Sequence, residues 1–332
     1  MAQRSYSPLD RRSFLAAGAA GFTLGPAALL ADTEAPPVRP TTPPSTDAKR
    51  VLRLAHMTDI HIQPERGAAK GFAEALRHAQ SLTDPVQLVL TGGDLIMDSF
   101  EANAVRTTLQ WALWQTVCKE ECSAPIEHCL GNHDIWGWNK ARSGTTGDER
   151  LWGKTWAREV LGLDGDFHAF ERAGWKFLSL DSVRPLGDGY TAFLDEGQLE
   201  WLRGELARTP ATMPILVVSH IPLLSVTAMC DPRRRDGNAV NVPGNLMHAD
   251  TGTISDLFAA HPNVKLCLSG HMHLLDRVEW RGCTYICDGA VSGSWWKGPH
   301  RGVPEGYGLI DLHDDGTFVW SYQPYGWVAR EE

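Results

Sequence analysis

Five short apolar runs in this 332-residue chain end in the same way, on side chains able to bind a metal ion. Val51-Leu-Arg-Leu-Ala-His56-Met-Thr leads into Asp59-Ile-His61, and Val86-Gln-Leu-Val-Leu90-Thr leads into Gly-Gly93-Asp94, with Asp98 four residues on. Pro125-Ile126 opens the run that reaches Cys129-Leu-Gly-Asn132-His133-Asp134. Pro214-Ile-Leu-Val-Val218-Ser delivers His220, and Val264-Lys-Leu-Cys-Leu268-Ser-Gly270 delivers His271-Met-His273. Short apolar runs bounded by turn residues read as buried strands. Open α/β sheets place their ligand sites beyond the carboxyl ends of such strands. Taken singly, each tip has a bland reading as a turn or a solvated histidine. Five in one chain require sheets whose strand ends converge.

The stretches between the first three runs have helical spacing. Residues 71–82 carry Phe72, Leu76 and Ala79, and residues 101–121 carry Leu109, Ala112, Leu113 and Val117, expected on one inward face. The resulting β-α-β-α-β order predicts a mostly parallel sheet covered by helices. Residues 168–181 read as a hairpin turning at Ala173-Gly174, and 195–208 as a helix with Leu199, Leu202 and Leu206 inward. Residues 222–250 look irregular, and a loop that long is functional or disordered. After a helix at 251–261, the runs 275–281, 283–288, 307–312 and 317–323 alternate as antiparallel strands do.

In their order the five tips resemble the calcineurin-like metallophosphoesterase superfamily: Asp-x-His, Gly-Asp-x-x-x-Asp, Gly-Asn-His-Asp, a lone His, then Gly-His-x-His. The resemblance spans residues 59–273. It implies one α/β domain, a four-layer α/β/β/α sandwich of two mixed sheets with a binuclear metal site at the strand ends. Oxygen and imidazole ligands without thiolate suit Mn, Fe, Zn or Co. The resemblance assigns Asp59, His61, Asp94 and His273 to one ion, and Asp94, Asn132, His220 and His271 to the other, with Asp94 shared. It also implies attack by a metal-bridging hydroxide, with His133 protonating the leaving alkoxide and Asp134 orienting His133. Asp98 is expected to steady its loop and His56 to be a satisfied strand histidine.

Departures from related patterns narrow the class. Met97 stands where purple acid phosphatases carry a tyrosine. Met97-Asp98-Ser99-Phe100 lacks the arginine that follows in protein serine/threonine phosphatases. The arrangement looks most similar to the branch acting on cyclic nucleotides and glycerophosphodiesters. The expected function is hydrolysis of small organic phosphate esters, diesters favoured. A phosphomonoesterase, an envelope lipid phosphodiesterase and a non-catalytic metal-binding module are the alternatives. Trp136, Trp138 and the Trp295-Trp296-Lys297-Gly-Pro-His300-Arg301 segment could meet a base or sugar face, although most of the 13 tryptophans should be core.

Arg11-Arg12-Ser-Phe-Leu15 precedes an apolar, Ala/Gly-rich stretch to Ala31, the pattern of a twin-arginine export signal. The stretch is short for a membrane span. Residues 32–48 form a proline-rich linker, and the folded domain is expected over 49–332. Periplasmic or secreted location follows, with the twin-arginine translocation machinery as partner, phosphate scavenging as the role, and no stable membrane span in the mature form. Without residues 1–31 the chain holds 28 basic and 39 acidic residues, a net charge of −11. Such a surface argues against a nucleic-acid polymer as partner and admits a small anionic ester held by metal ions. Seven cysteines make no disulfide framework: Cys129 and Cys267 read as core, and Cys283 and Cys287 lie too far apart on one strand to pair.

Overall fold

The computed structural model describes residues 45–230 and 232–329. The expected export signal and most of the linker lie outside the described residues. Strand β1 (Arg50–Met57) leads through helix α1 (Ala68–Ser81) to β2 (Leu88–Thr91), then through α2 (Ala104–Glu121) to the two-residue β3 (Ile126–Glu127). Short helices α3 (Lys140–Ser143) and α4 (Thr155–Leu161) precede the hairpin β4 (His168–Arg172) and β5 (Trp175–Leu180). A second hairpin, β6 (Val183–Leu186) and β7 (Gly189–Ala192), leads to α5 (Glu196–Arg208) and β8 (Ile215–Ser219). Among its described residues, the long segment expected to be irregular contains only 3₁₀ turns and the two-residue strands β9 (Arg235–Asp236) and β10 (Ala239–Val240) as regular elements. Then come α6 (Thr251–Ala259), β11 (Val264–Ser269), β12 (Asp276–Trp280), β13 (Cys283–Cys287), β14 (Gly306–His313) and β15 (Phe318–Pro324).

Two large sheets result, with strand orders β15-β14-β1-β2-β3 and β12-β13-β11-β8-β5-β4. In the first, β1, β2 and the edge strand β3 are parallel, and β14 and β15 continue the other side in antiparallel pairings. In the second, the four central strands are parallel and both edge strands antiparallel. Strand periodicity sorts the side chains into three layers. Leu52 and Leu54 of β1 face Phe177, Leu216 and Leu268 between the sheets, while Ala55 and Met57 face the α1 and α2 side. Leu178, Ile215 and Val217 point outward to Leu202 and Leu206 of α5 and Phe258 of α6. This is the expected α/β/β/α sandwich. Burial on both faces explains why the strands read as continuous apolar runs.

The hairpin turns at Ala173 (φ 51°) and Gly174 (φ 80°), the paired left-handed geometry that suits strand twist. Helix α2 departs from expectation. It buries Thr107, Gln110, Trp111, Trp114 and Val117, and leaves Leu109 exposed. The indoles of Trp111 and Trp114 offer more apolar area than Leu109. Buried Gln110 is satisfied because its amide exchanges hydrogen bonds with the backbone of Asp98, at 3.1 and 2.9 Å. All seven cysteines are free, with the Cys267 and Cys283 sulfurs 3.5 Å apart on neighbouring strands.

Candidate metal centre

The parallel strands of both sheets end at one edge of the sandwich. There β1 delivers Asp59 and His61, β2 Asp94, the segment after β3 Asn132 to Asp134, β8 His220, and β11 His271 and His273. Two glycines permit the approach. A side chain at Gly131 would lie 2.2 Å from Asp94, and one at Gly270 would lie 1.9 Å from the Thr58 hydroxyl. Asp59, His61, Asp94, His271 and His273 all have φ between 48° and 69°. Left-handed backbone at a non-glycine residue costs roughly 1–3 kcal/mol. Five such residues at one edge mark a place where the surrounding fold imposes geometry for chemistry.

Asp59, His61 and His273 bring their ligand atoms together in one group, and Asp94, His220 and His271 in another. Asp94 lies between them, its Oδ2 3.2 Å from His220 Nε2 and 3.8 Å from His61 Nε2. The Asn132 Oδ1 completes the second group at 3.1 Å from His220 Nε2. Outer hydrogen bonds orient three of the imidazoles. His273 Nδ1 donates to the Gly293 carbonyl (2.5 Å), His220 Nδ1 to Gly92 (2.8 Å), and His271 Nε2 to Asn245 (2.7 Å). Each then turns its other nitrogen toward the centre, where it offers a lone pair once any proton there is released. His61 Nε2 faces His273 Nε2 at 3.1 Å, and His271 Nδ1 faces His220 Nε2 at 3.3 Å. Converging lone pairs repel unless a proton or a cation sits among them. The donor set therefore fits cations that favour oxygen and imidazole.

The metal-free charges show the same tension. Burial opposes ionisation of Asp59 and Asp94, but the neighbouring His273 and His220 charges win and hold both carboxyls well down. Burial likewise opposes the His220 charge, yet Asp94 lifts it to about 9, and Asp59 raises His273. Burial pushes His61 well down and, aided by the His220 charge, takes His271 to about 4.

His133 stands at the mouth, 28 % exposed, with Nε2 4.0 Å from Asp94 Oδ2 and its ring edge-on to His61 at 4.8 Å. Asp134, expected to orient it, makes its hydrogen bonds elsewhere. Fully buried, Asp134 accepts from the N–H groups of Leu95, Ile96 and Gly131 and so ties two strand-end loops together. Burial and the Asp94 charge push its carboxyl up to about 7. The carboxylate behind His133 is Asp98, whose Oδ1 is 3.8 Å from Nδ1 and also accepts from the Glu101 N–H, steadying its loop.

His56 stands apart from the ligand clusters as expected but is only half satisfied: its Nδ1 lies 2.6 Å from the buried Asp288, which also accepts from the Trp320 indole at 2.8 Å, while its buried Nε2 has no hydrogen-bond partner. Trp111, Trp114, Trp136, Trp175, Trp296, Trp320 and Trp327 are buried. Trp295 is the indole that reaches the centre, 4.5 Å from the His273 ring. Sequence reasoning missed Ser292, Gly293 and Asn245. The first two follow β13, whose Cys287-Asp288-Gly289 ending resembles the glycine-bearing tips at Gly93, Gly131 and Gly270. Asn245 contributes only a backbone carbonyl and carries no signal.

Comparison with known proteins agrees with this geometry. The family model for calcineurin-like phosphoesterases matches residues 52–275. A probable cyclic nucleotide phosphodiesterase of Synechococcus is 28 % identical over 290 residues, covering 84 % of this chain and 94 % of the relative. The 3',5'-cyclic adenosine monophosphate phosphodiesterase CpdA of Escherichia coli K12 is 25 % identical over 287 residues, covering 81 % and 88 %. Among solved structures, a dimetal phosphatase from Danio rerio superposes with a TM-score of 0.57 at 15 % identity, over 83 % of this chain and 97 % of that one. The chain belongs to the calcineurin-like phosphoesterase family, and its chemistry is metal-dependent hydrolysis of phosphoric esters.

Proposed function

We propose that the protein hydrolyses small organic phosphate esters, diesters above monoesters, at two divalent cations held by the paired clusters. The observation that carries this reading is the convergence of six candidate ligand side chains around Asp94, with His133 open at the mouth beside them. Asp59, His61, Asp94 and His273 would hold one ion, and Asp94, Asn132, His220 and His271 the other. Mn, Fe or Zn suits the donors. When bound, such ions offset charge on phosphoryl oxygens and make water nucleophilic near neutral pH.

The chain's own residues do the rest. His133 gives its Nε2 proton to the departing alkoxide, a step general acids typically accelerate 10²–10⁴-fold. Asp98 stands behind the ring, its Oδ1 3.8 Å from Nδ1. Trp295 offers a partly exposed indole at the mouth, a surface for the organic part of the ester. The names of the two curated relatives support a diester substrate. The test is hydrolysis of bis-p-nitrophenyl phosphate against p-nitrophenyl phosphate by chelator-stripped protein, with each metal restored in turn. Metal-dependent diester cleavage is expected. A monoester preference would make it a phosphatase, and no turnover with two ions bound would sink the enzymatic reading.

A lipid diester is the second reading. Val226, Met229 and Val240 stand exposed on the segment that also supplies the Asn245 carbonyl. Faster cleavage of a phospholipid in vesicles than of its soluble headgroup diester would favour it. We also read residues 1–31 as a twin-arginine export signal, which makes scavenging of membrane-impermeant esters outside the cytoplasm the role. Arg11-Arg12→Lys-Lys should trap the protein in the cytoplasm, and unchanged export would refute that.

A further inference from the structure

We propose that the segment Ser292–Trp296 is the positioning clamp of the Asp59/His61/His273 cluster, and that it sets the metal affinity of that cluster separately from the other. The proposal rests on the reading that both clusters hold cations. All three ligands of the first cluster touch this one segment. The Ser292 hydroxyl and N–H both donate to the Asp59 carbonyl, at 2.7 and 3.3 Å. The Trp296 indole N–H donates to the His61 carbonyl at 3.0 Å. Gly293 accepts from His273 Nδ1 at 2.5 Å. The Trp295 ring then covers both imidazoles, 4.5 Å from His273 and 5.9 Å from His61.

The segment is itself firmly seated. Gly293, Trp295 and Trp296 all have left-handed backbone, at φ 55°, 52° and 67°. Two consecutive tryptophans hold that conformation only where the surroundings enforce it. The Trp296 N–H donates to the Ser292 carbonyl, and the Ser294 N–H to that of Gly298. Buried Glu305 packs against them, so close that a Cβ at Gly293 would lie 2.9 Å from its carboxyl carbon. Trp296 itself is fully buried, edge-on to Trp327 at 5.6 Å, and seated so close to α1 that a Cβ at Gly71 would lie 2.1 Å from its ring. The hydrophobic core therefore reaches the first cluster through one rigid segment. The outer partners of His220 and His271 are Gly92 and Asn245, neither of which belongs to it. The Gly293 bond to the His273 ring is of the kind worth about 10–100-fold in metal affinity, while the Ser292 and Trp296 bonds hold the backbone carbonyls of Asp59 and His61 and so set where those side chains stand.

The test is calorimetric titration of the metal-free, full-length protein with Mn²⁺, backed by metal analysis after gel filtration. Two binding steps are expected, and His271→Ala identifies the one belonging to the second cluster. Ser292→Ala combined with Trp296→Phe removes two hydrogen bonds to the ligands' backbone and should weaken the other step about tenfold, leave the His271 step in place, and regain kcat at saturating metal. Trp296 is a core residue, so Ser292→Ala alone repeats the test while removing only a hydroxyl. Equal weakening of both steps, or no change in either, would overturn the proposal. Failure of the unmodified protein to take up two ions would instead overturn the two-cation reading beneath it.

Discussion

The two ligand clusters carry the same charges on different supports. Each pairs one carboxylate held low with one imidazole raised by it and a second imidazole pushed down by burial. Yet Asp59, His61 and His273 are all buried and backed by the core through Trp296, whereas His271 is partly exposed and leans on Asn245, within the long irregular segment. The first cluster is fixed by packing throughout, whereas the second, with Asp94, Asn132 and His220 equally buried, has one ligand, His271, that rests on a loop. Loops tolerate change that packed cores do not, so His271 is the ligand placed to adapt to different substrates or ions.

The largest test of that division is its shared member. Asp94→Ala should remove the joint between the clusters, lower kcat by about 10³-fold or more, and leave fewer than two ions bound. Circular dichroism should still report a folded chain, and retained activity would end the idea of a shared carboxylate. His133→Ala should leave metal content alone and cost about 10²–10⁴-fold in kcat on an alkyl ester. The loss should shrink on a p-nitrophenyl ester, whose leaving group needs little protonation. An equal loss on both would remove His133 from the role of acid.

Proton competition sharpens the comparison further. A protonated imidazole cannot ligate, and Asp94 holds the His220 proton up to about 9. Ion binding at that cluster must release this proton, so its apparent affinity should fall about tenfold per pH unit below that value. Affinity that stays flat between pH 6 and 9 would contradict the assignment. The smallest effect should lie beneath the site. Trp320→Phe leaves the Asp288 Oδ1 without its donor and should cost about 1–3 kcal/mol in denaturant unfolding, with metal content unchanged.

Much of this was legible because its causes are local. Apolar runs ending in a polar tip announced both the buried strands and the ligands they deliver, and the Ala173-Gly174 turn announced its hairpin. The inward face of α2 was misread because spacing ranks Leu109 with Trp111, and only the neighbouring Asp98 loop makes Gln110 an acceptable core residue. Asp134 looked like the partner of His133 because it is adjacent in sequence. The fold turns it toward the backbone of Leu95 and Gly131 and leaves Asp98 at the imidazole.

The sequence by itself determined which side chains could ligate and that they stand at strand ends, since residue type and hydrophobic period are properties of short stretches. Tertiary structure alone decided which nitrogen of His220, His271 and His273 faces the centre. It also decided that Trp296 carries the core to one cluster but not to the other. The acceptors that make those choices are the backbone carbonyls of Gly92, Asn245 and Gly293, brought in from distant parts of the chain. Every residue has such a carbonyl, so nothing in the letters distinguishes the ones that matter.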